Sequence, residues 1–262
     1  MWKILLVSIL TLMIYANTGE TVKKVADPPV PEPQITSPKH TEKPLNVLPK
    51  HEHKKSCKET AAEPLRIICI LDRSGSMASL ASDTIGGYNS FLAKQKEKGA
   101  AEVTTVLFDD EYQLIADGVN INEIEELTPA VYFARGTTAL LDAVGKTVTS
   151  TLSKMEEQNI CPERRRVLVM IMTDGLENAS QEFSKGVVKS LIEETTEKYH
   201  WNYIFMGANI DSVKEASALG IAGNRAINYS ADKKGVRRTF DKMSEAADEM
   251  RESGKVSDDW KN

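Results

Sequence analysis

Five side chains with oxygen donors carry the chemistry open to this sequence. Asp72, Ser74 and Ser76 stand two residues apart in "LDRSGSM", Thr138 stands two residues after a glycine in "ARGTTAL", and Asp174 follows an apolar run in "VMIMTDG". Alternate residues of an extended turn point the same way, so Asp72, Ser74 and Ser76 can converge while Gly75 permits the bend. Two carboxylates and three hydroxyls, with no histidine or cysteine among them, make an all-oxygen donor set. That chemistry suits a hard divalent cation, magnesium first, with manganese or calcium also compatible. Two carboxylates would neutralise a dication and leave room for an outside ligand, for which a carboxylate is the natural choice. Taken singly, each stretch is ordinary turn or helix-cap composition. Their common placement is the informative feature.

That placement comes from the elements around them. "RIICIL", "EVTTVLF", "RVLVMIM" and "NYIFMG" are continuous apolar runs, as expected of strands buried on both faces of a parallel sheet. "YQLIADG" after "FDDE" reads as a hairpin partner, which makes one edge strand antiparallel. Helical stripes run through Leu140, Val144, Val148, Leu152 and Met155, through Phe183, Val187 and Leu191, and through Val236, Phe240, Met243, Ala247 and Met250. Strands alternating with helices predict an α/β fold, a doubly wound, mostly parallel central sheet with helices on both faces. Ligands of such sheets bind at the carboxyl ends of the strands, at the switch point, and Asp72 and Asp174 fall at two such ends.

The remainder of the chain bounds the context. A net charge of -5 over 262 residues argues against nucleic acid as a partner, since phosphate binding needs a basic face. Residues 1–19 carry one lysine and then an apolar stretch, Ile4 to Ala16, of signal-peptide length, and they read as a signal peptide or an uncleaved N-terminal anchor. The chain is therefore expected to be exported, to a periplasmic, cell-envelope or secreted location, touching a membrane only through that anchor. Residues 20–64 are rich in proline and lysine with no glycine, the composition of a disordered tether. The "HEH" at His51 to His53 belongs to that solvated segment. The folded domain is set at 65–253, followed by a polar tail at 254–262.

"DRSGSM", "GTTALLDAVG" and "TDGLENAS", in that order, resemble the three loops of the von Willebrand factor type A (vWA) domain with its metal-ion-dependent adhesion site. The resemblance covers the folded region. "DTIGGYNSFLAKQ", "VLFDDEY" and "MGANIDS" place it nearest the bacterial and phage-encoded branch. It implies direct metal contacts from Ser74 and Ser76, direct or water-mediated ones from Asp72 and Asp174, and a state-dependent one from Thr138, with Thr137 one residue too early. Arg73 and Arg135 are expected on the rim, and Glu177 and Asn178 behind the ligands. Asp109 and Asp110 read as a polar hairpin turn, Asn209 and Asp211 as caps of the next helix, and Cys69 as core. In the family's sheet the strands following Cys57 and Cys161 are parallel neighbours, which implies a Cys57–Cys161 disulfide at the base.

The function this implies is a non-enzymatic, metal-dependent binding module that accepts an aspartate or glutamate from a partner protein. Two alternatives compete. A phosphoryl-transfer enzyme would use Asp72 as nucleophile, but Ser74 stands where such enzymes carry a second aspartate, and the three loops hold no suitable lysine. A purely structural domain would leave the site unused. Oligomeric state is not fixed by the sequence.

Overall fold

The computed structural model describes residues 63–158, 161 and 166–261. The expected signal segment, nearly all of the tether, and Cys57 lie outside that range. Strand β1 (Leu65–Asp72) leads through a short 3-10 turn (Gly75–Leu80) into α1 (Ala81–Lys98). Strands β2 (Ala101–Phe108) and β3 (Tyr112–Asn120) form a hairpin, and α2 (Leu140–Glu157) precedes β4 (Val167–Thr173). Then come α3 (Lys185–Tyr199), β5 (Asn202–Gly207), α4 (Ser212–Ala218), β6 (Ala226–Asn228) and α5 (Lys233–Ser253).

The six strands lie in the order β3-β2-β1-β4-β5-β6. All pairings are parallel except β2 with β3. The continuous apolar runs are explained by cover on both faces. In β1, Ile67, Cys69 and Leu71 enter one core, which also takes Tyr88, Phe91, Phe240 and Met243 from α1 and α5. Ile68 and Ile70 enter the other, with Val144, Val148, Val188 and Ile192 from α2 and α3. Strands β4 and β5 divide their side chains in the same way. Every residue of β4 is buried, so no polar side chain could be placed in that strand without a partner.

Chain order reverses at β1. One crossover leaves it for β2, and after the hairpin the chain returns on the other side to lay down β4. The carboxyl ends of β1 and β4 are therefore neighbours at the switch point, where the loops on either side diverge and open a crevice. Asp72 ends the first of these strands, and Asp174 follows the last residue of the second.

Two elements differ from the sequence reading. The core face of α3 is wider than the stripe of Phe183, Val187 and Leu191: Val188, Leu191, Ile192, Thr195 and Tyr199 are buried, and Phe183 and Val187 pack partly buried against the same core. Phe183 precedes the helix, which Ser184 caps through Val187 N–H. The Phe183 ring instead lies over Gly145 of α2, where an added Cβ would fall 2.3 Å from it. The second difference is the tail. Val256 and Trp260 are buried in the core beside α5, and Trp260 Nε1 donates to Asn224 O at 2.8 Å. Arg225 also reaches back to the carbonyl oxygens of Val256 and Ser257. Composition reads 254–262 as polar because two apolar anchors among nine residues are enough to hold it.

Candidate metal centre

The turn after β1 is held from both ends. Asp72 Oδ1 accepts from Ser74 N–H at 2.6 Å, and its Oδ2 accepts from the Thr173 hydroxyl at 2.5 Å. Tyr132, buried beneath the loop, donates its hydroxyl to the Asp72 carbonyl oxygen at 2.5 Å. Asp72 is fully buried, and its orientation is fixed by three separate segments.

Backbone bonds then bind the second loop to the first. Arg135 N–H donates to Arg73 O at 2.8 Å, and Gly75 N–H to Gly136 O at 3.1 Å. Gly136 has φ 65°, a left-handed conformation that favours glycine. The third loop is tied to the second in turn. Asn178 and Ala179 N–H groups both reach Thr138 O, and Asn178 Oδ1 accepts from Thr138 N–H at 2.9 Å.

The donors meet at this junction. The Ser76 hydroxyl donates to Asp174 Oδ1 at 2.5 Å and lies 3.1 Å from Ser74 Oγ. A Cβ built on Gly175 would stand 3.3 Å from Thr138 Oγ1 and 3.6 Å from Ser76 Oγ. The Thr138 and Ser76 hydroxyls thus face the same backbone, and glycine after Asp174 leaves them space. All five residues that the sequence singled out are brought together.

The donor set fits a hard cation. Burial pushes the Asp72 carboxyl from 3.8 up to about 6, outweighing the hydrogen bonds from Thr173 and Ser74, and the charge of Asp174 adds to the rise. Burial also raises Asp174, against the hydrogen bond from Ser76. Two buried carboxylates whose charges oppose each other are the environment a dication would relieve. Among the described residues there is no group of three or more His, Cys, Asp or Glu side chains suited to a metal. The candidate is the mixed carboxylate–hydroxyl set, on its own geometry.

The surrounding side chains depart from the sequence reading in instructive ways. Arg73 is not on the rim. It is 1% exposed, with Nε 2.9 Å from Asp109 Oδ2 and Nη1 donating to Gln113 Oε1 at 2.5 Å. Asp109 is likewise not a turn residue offered to solvent but fully buried, and it also accepts from Arg135 Nε at 2.7 Å and Glu111 N–H at 2.6 Å. Arg135 is half-exposed and also pairs with Glu111. Asp110 is exposed as expected, and Asp211 caps α4 through Lys214 N–H. Glu177 accepts from Leu141, Ala179 and Ser180 N–H groups, joining the third loop to the start of α2.

Three supports were not singled out from sequence. Thr173 and Tyr132 fix Asp72, and buried Asp142 gathers the N–H groups of Gln181, Glu182 and Phe183. Thr173 had a signal: a hydroxyl residue ending a strand, immediately before a candidate ligand. Tyr132 and Asp142 had none, because their partners are distant in sequence.

The Asn178 bond gives a direct expectation. Asn178→Ala would leave the Thr138 N–H without its side-chain acceptor and free the loop that aims the threonine. Metal affinity is expected to fall about 10- to 100-fold, the range for groups that orient ligands, with the fold retained. A manganese titration of the two proteins checks this.

No protein-family model matches the chain, and no curated protein does. Solved structures do match. The pilus adhesin SpaC of Lactobacillus rhamnosus GG, in its open conformation, is similar at a TM-score of 0.56 and 10% identity, over 74% of this chain and 31% of that one. Proximal thread matrix protein 1 of the mussel byssus is similar at 0.51 and 14%, over 70% and 47%. A von Willebrand factor type A protein from Catenulispora acidiphila reaches only 0.47 at 15%, over 72% and 43%, and carries no weight alone. This chain spans less than half the length of each. The likeness is one of fold alone: an α/β architecture with, in this chain, a six-stranded, mostly parallel sheet, one antiparallel edge and flanking helices.

Proposed function

We infer that this chain is an exported, metal-dependent protein-binding module. Asp72, Ser74, Ser76, Thr138 and Asp174 would hold one divalent cation, magnesium in the first instance, and the cation would accept an Asp or Glu carboxylate from a partner protein. The supporting observation is the meeting of Ser76 with Asp174 and Ser74, from loops 98 residues apart in sequence, beside Thr138. When bound, the cation supplies a directional anchor for a carboxylate. The chain's own residues do the rest: Thr173, Tyr132 and Asn178 hold the donors in place, so little ordering is left to be done on binding.

The same fold occurs in a pilus adhesin and a byssus matrix protein, in keeping with a binding role outside the cell. Export itself rests on the N-terminal sequence. Among the described residues no helix is long and apolar enough to cross a membrane. The phosphoryl-transfer alternative would need a cation free to neutralise the group in transit. Both arginines of the loops are instead committed to Asp109.

The partner is tested by pull-down from the native cell envelope, with protein beginning near Glu20 as bait, in magnesium, in EDTA, and with Asp72→Ala. A partner retained only by the native protein in magnesium is the expected result. Identical partners in all three lanes would remove the metal from the account.

The base of the domain carries a separate proposal. Cys69 is a free thiol buried in the core. A Cys57–Cys161 disulfide would tie the tether to the base of the sheet and close a loop of about 100 residues, contributing about 4–5 kcal/mol on chain-entropy grounds. Intact mass of the exported protein is expected to rise by two hydrogens on reduction. An unchanged mass would exclude the bond.

A further inference from the structure

Four large apolar side chains among the described residues are exposed: Leu114, Phe133, Leu176 and Val213. Single exposed apolar residues are common and need no explanation. Two of these four, however, sit in the loops that carry the candidate metal ligands. Phe133 lies between Tyr132, which bonds the Asp72 backbone, and the Arg135 segment that is tied to Arg73. Leu176 lies between Asp174 and Glu177, both of which are anchored.

The support beneath Phe133 is unusual. The Arg73 and Arg135 guanidinium carbons stand 5.8 and 5.7 Å from its ring centroid. Both guanidiniums are in turn held by the fully buried Asp109 carboxylate. Cations that close to a ring attract it, so a buried charge cluster steadies an aromatic side chain that remains 45% exposed. Leu176 is 55% exposed on a loop whose next residue, Glu177, accepts three backbone N–H groups. An aromatic group held in place loses little freedom on contact, and aromatic side chains are enriched at binding surfaces.

We propose that Phe133 and Leu176 form the apolar part of the partner-binding surface, so that the ligand is an acidic residue carrying or adjoining an apolar, preferably aromatic, group. This rests on the carboxylate-accepting reading of the metal centre and adds its selectivity. The metal would take the carboxylate, and the two side chains would take the apolar group beside it.

Small carboxylates separate the two ideas. The magnesium-loaded protein is titrated with acetate and with 3-phenylpropanoate, each repeated in EDTA, and followed by amide chemical shifts. Acetate is expected to shift resonances of the three loops only when magnesium is present. Phenylpropanoate should bind about tenfold more tightly, the order expected for partial burial of a ring. In a Phe133→Ser, Leu176→Ser double variant, checked for native dispersion of its spectrum, that ratio should fall close to one. Equal affinity for the two ligands in the native protein, or a preference that survives in the variant, would overturn the inference and leave the metal reading standing. A lack of any magnesium-dependent response to acetate would overturn the carboxylate reading, and this inference with it.

Discussion

Asp72→Asn is expected to make the metal-stripped protein more stable at pH 7 while abolishing its response to magnesium. The two effects share one cause. Burial holds the Asp72 carboxyl at about 6 in the fold, against 3.8 as the ordinary value. A carboxyl raised on folding binds more protons in the native state. Its contribution is therefore fully present below about pH 4 and is lost as pH rises through about 6. The gap corresponds to about 3 kcal/mol of penalty at neutral pH without a cation. An asparagine carries no charge to desolvate. Its carbonyl oxygen can keep the Ser74 N–H bond, while the Thr173 hydroxyl can turn toward Gly175 O, 3.2 Å away. Part of the gain is spent on imperfect amide geometry, so a net rise of about 1–2 kcal/mol is expected. In the native protein, magnesium at a hundred times its dissociation constant should add about 2.7 kcal/mol. In Asp72→Asn that increment should vanish. Urea unfolding with and without magnesium measures all four states, and a variant that is less stable in EDTA and still responds to magnesium would refute the assignment. A site that destabilises its own fold unless filled is what a binding role predicts.

Arg73→Ala is expected to cost about 3–5 kcal/mol, the second large effect. The Arg73–Asp109 pair is 2% and 0% exposed at its two side chains, and truncating the arginine leaves a buried carboxylate with half-exposed Arg135 and a backbone N–H as its remaining partners. Breaking such a pair is far more damaging than replacing it whole. Arg73→Met with Asp109→Leu should therefore recover much of the loss, though not the steadying of Phe133 or the Arg135 contact. Thermal or urea denaturation of the single and double variants decides the matter. A cost below about 1 kcal/mol for Arg73→Ala would mean that water enters the cluster and that it does not brace the loops.

The sheet was legible in the sequence because its strands are covered on both sides. The six residues "VLVMIM" contain no polar side chain, and the strands match the apolar runs to within a residue or two. The proximity of Asp72, Ser74, Ser76, Thr138 and Asp174 was legible because they fall in three short motifs at strand and helix mouths. Arg73 and Asp109 were not, because a charged residue in a turn looks the same in sequence whether it meets water or a counter-ion. Only the parallel pairing of β1 with β2, which brings Asp72 opposite Phe108, places those two next to each other. The α3 face is broader than its three-residue stripe because Phe183 precedes the Ser184 cap, while Val188 and Ile192 share the buried side with Leu191. The buried tail was missed because Trp260 contacts a loop more than thirty residues away, which no local pattern records.

The central claim is that Asp72, Ser74, Ser76, Thr138 and Asp174 hold a cation. Direct manganese binding, followed by electron paramagnetic resonance on EDTA-stripped protein and on Asp174→Ala, tests it most simply. One bound ion per chain, displaced by magnesium and lost in the variant, is the predicted result. Absence of binding at millimolar manganese, or equal binding by the variant, would contradict it.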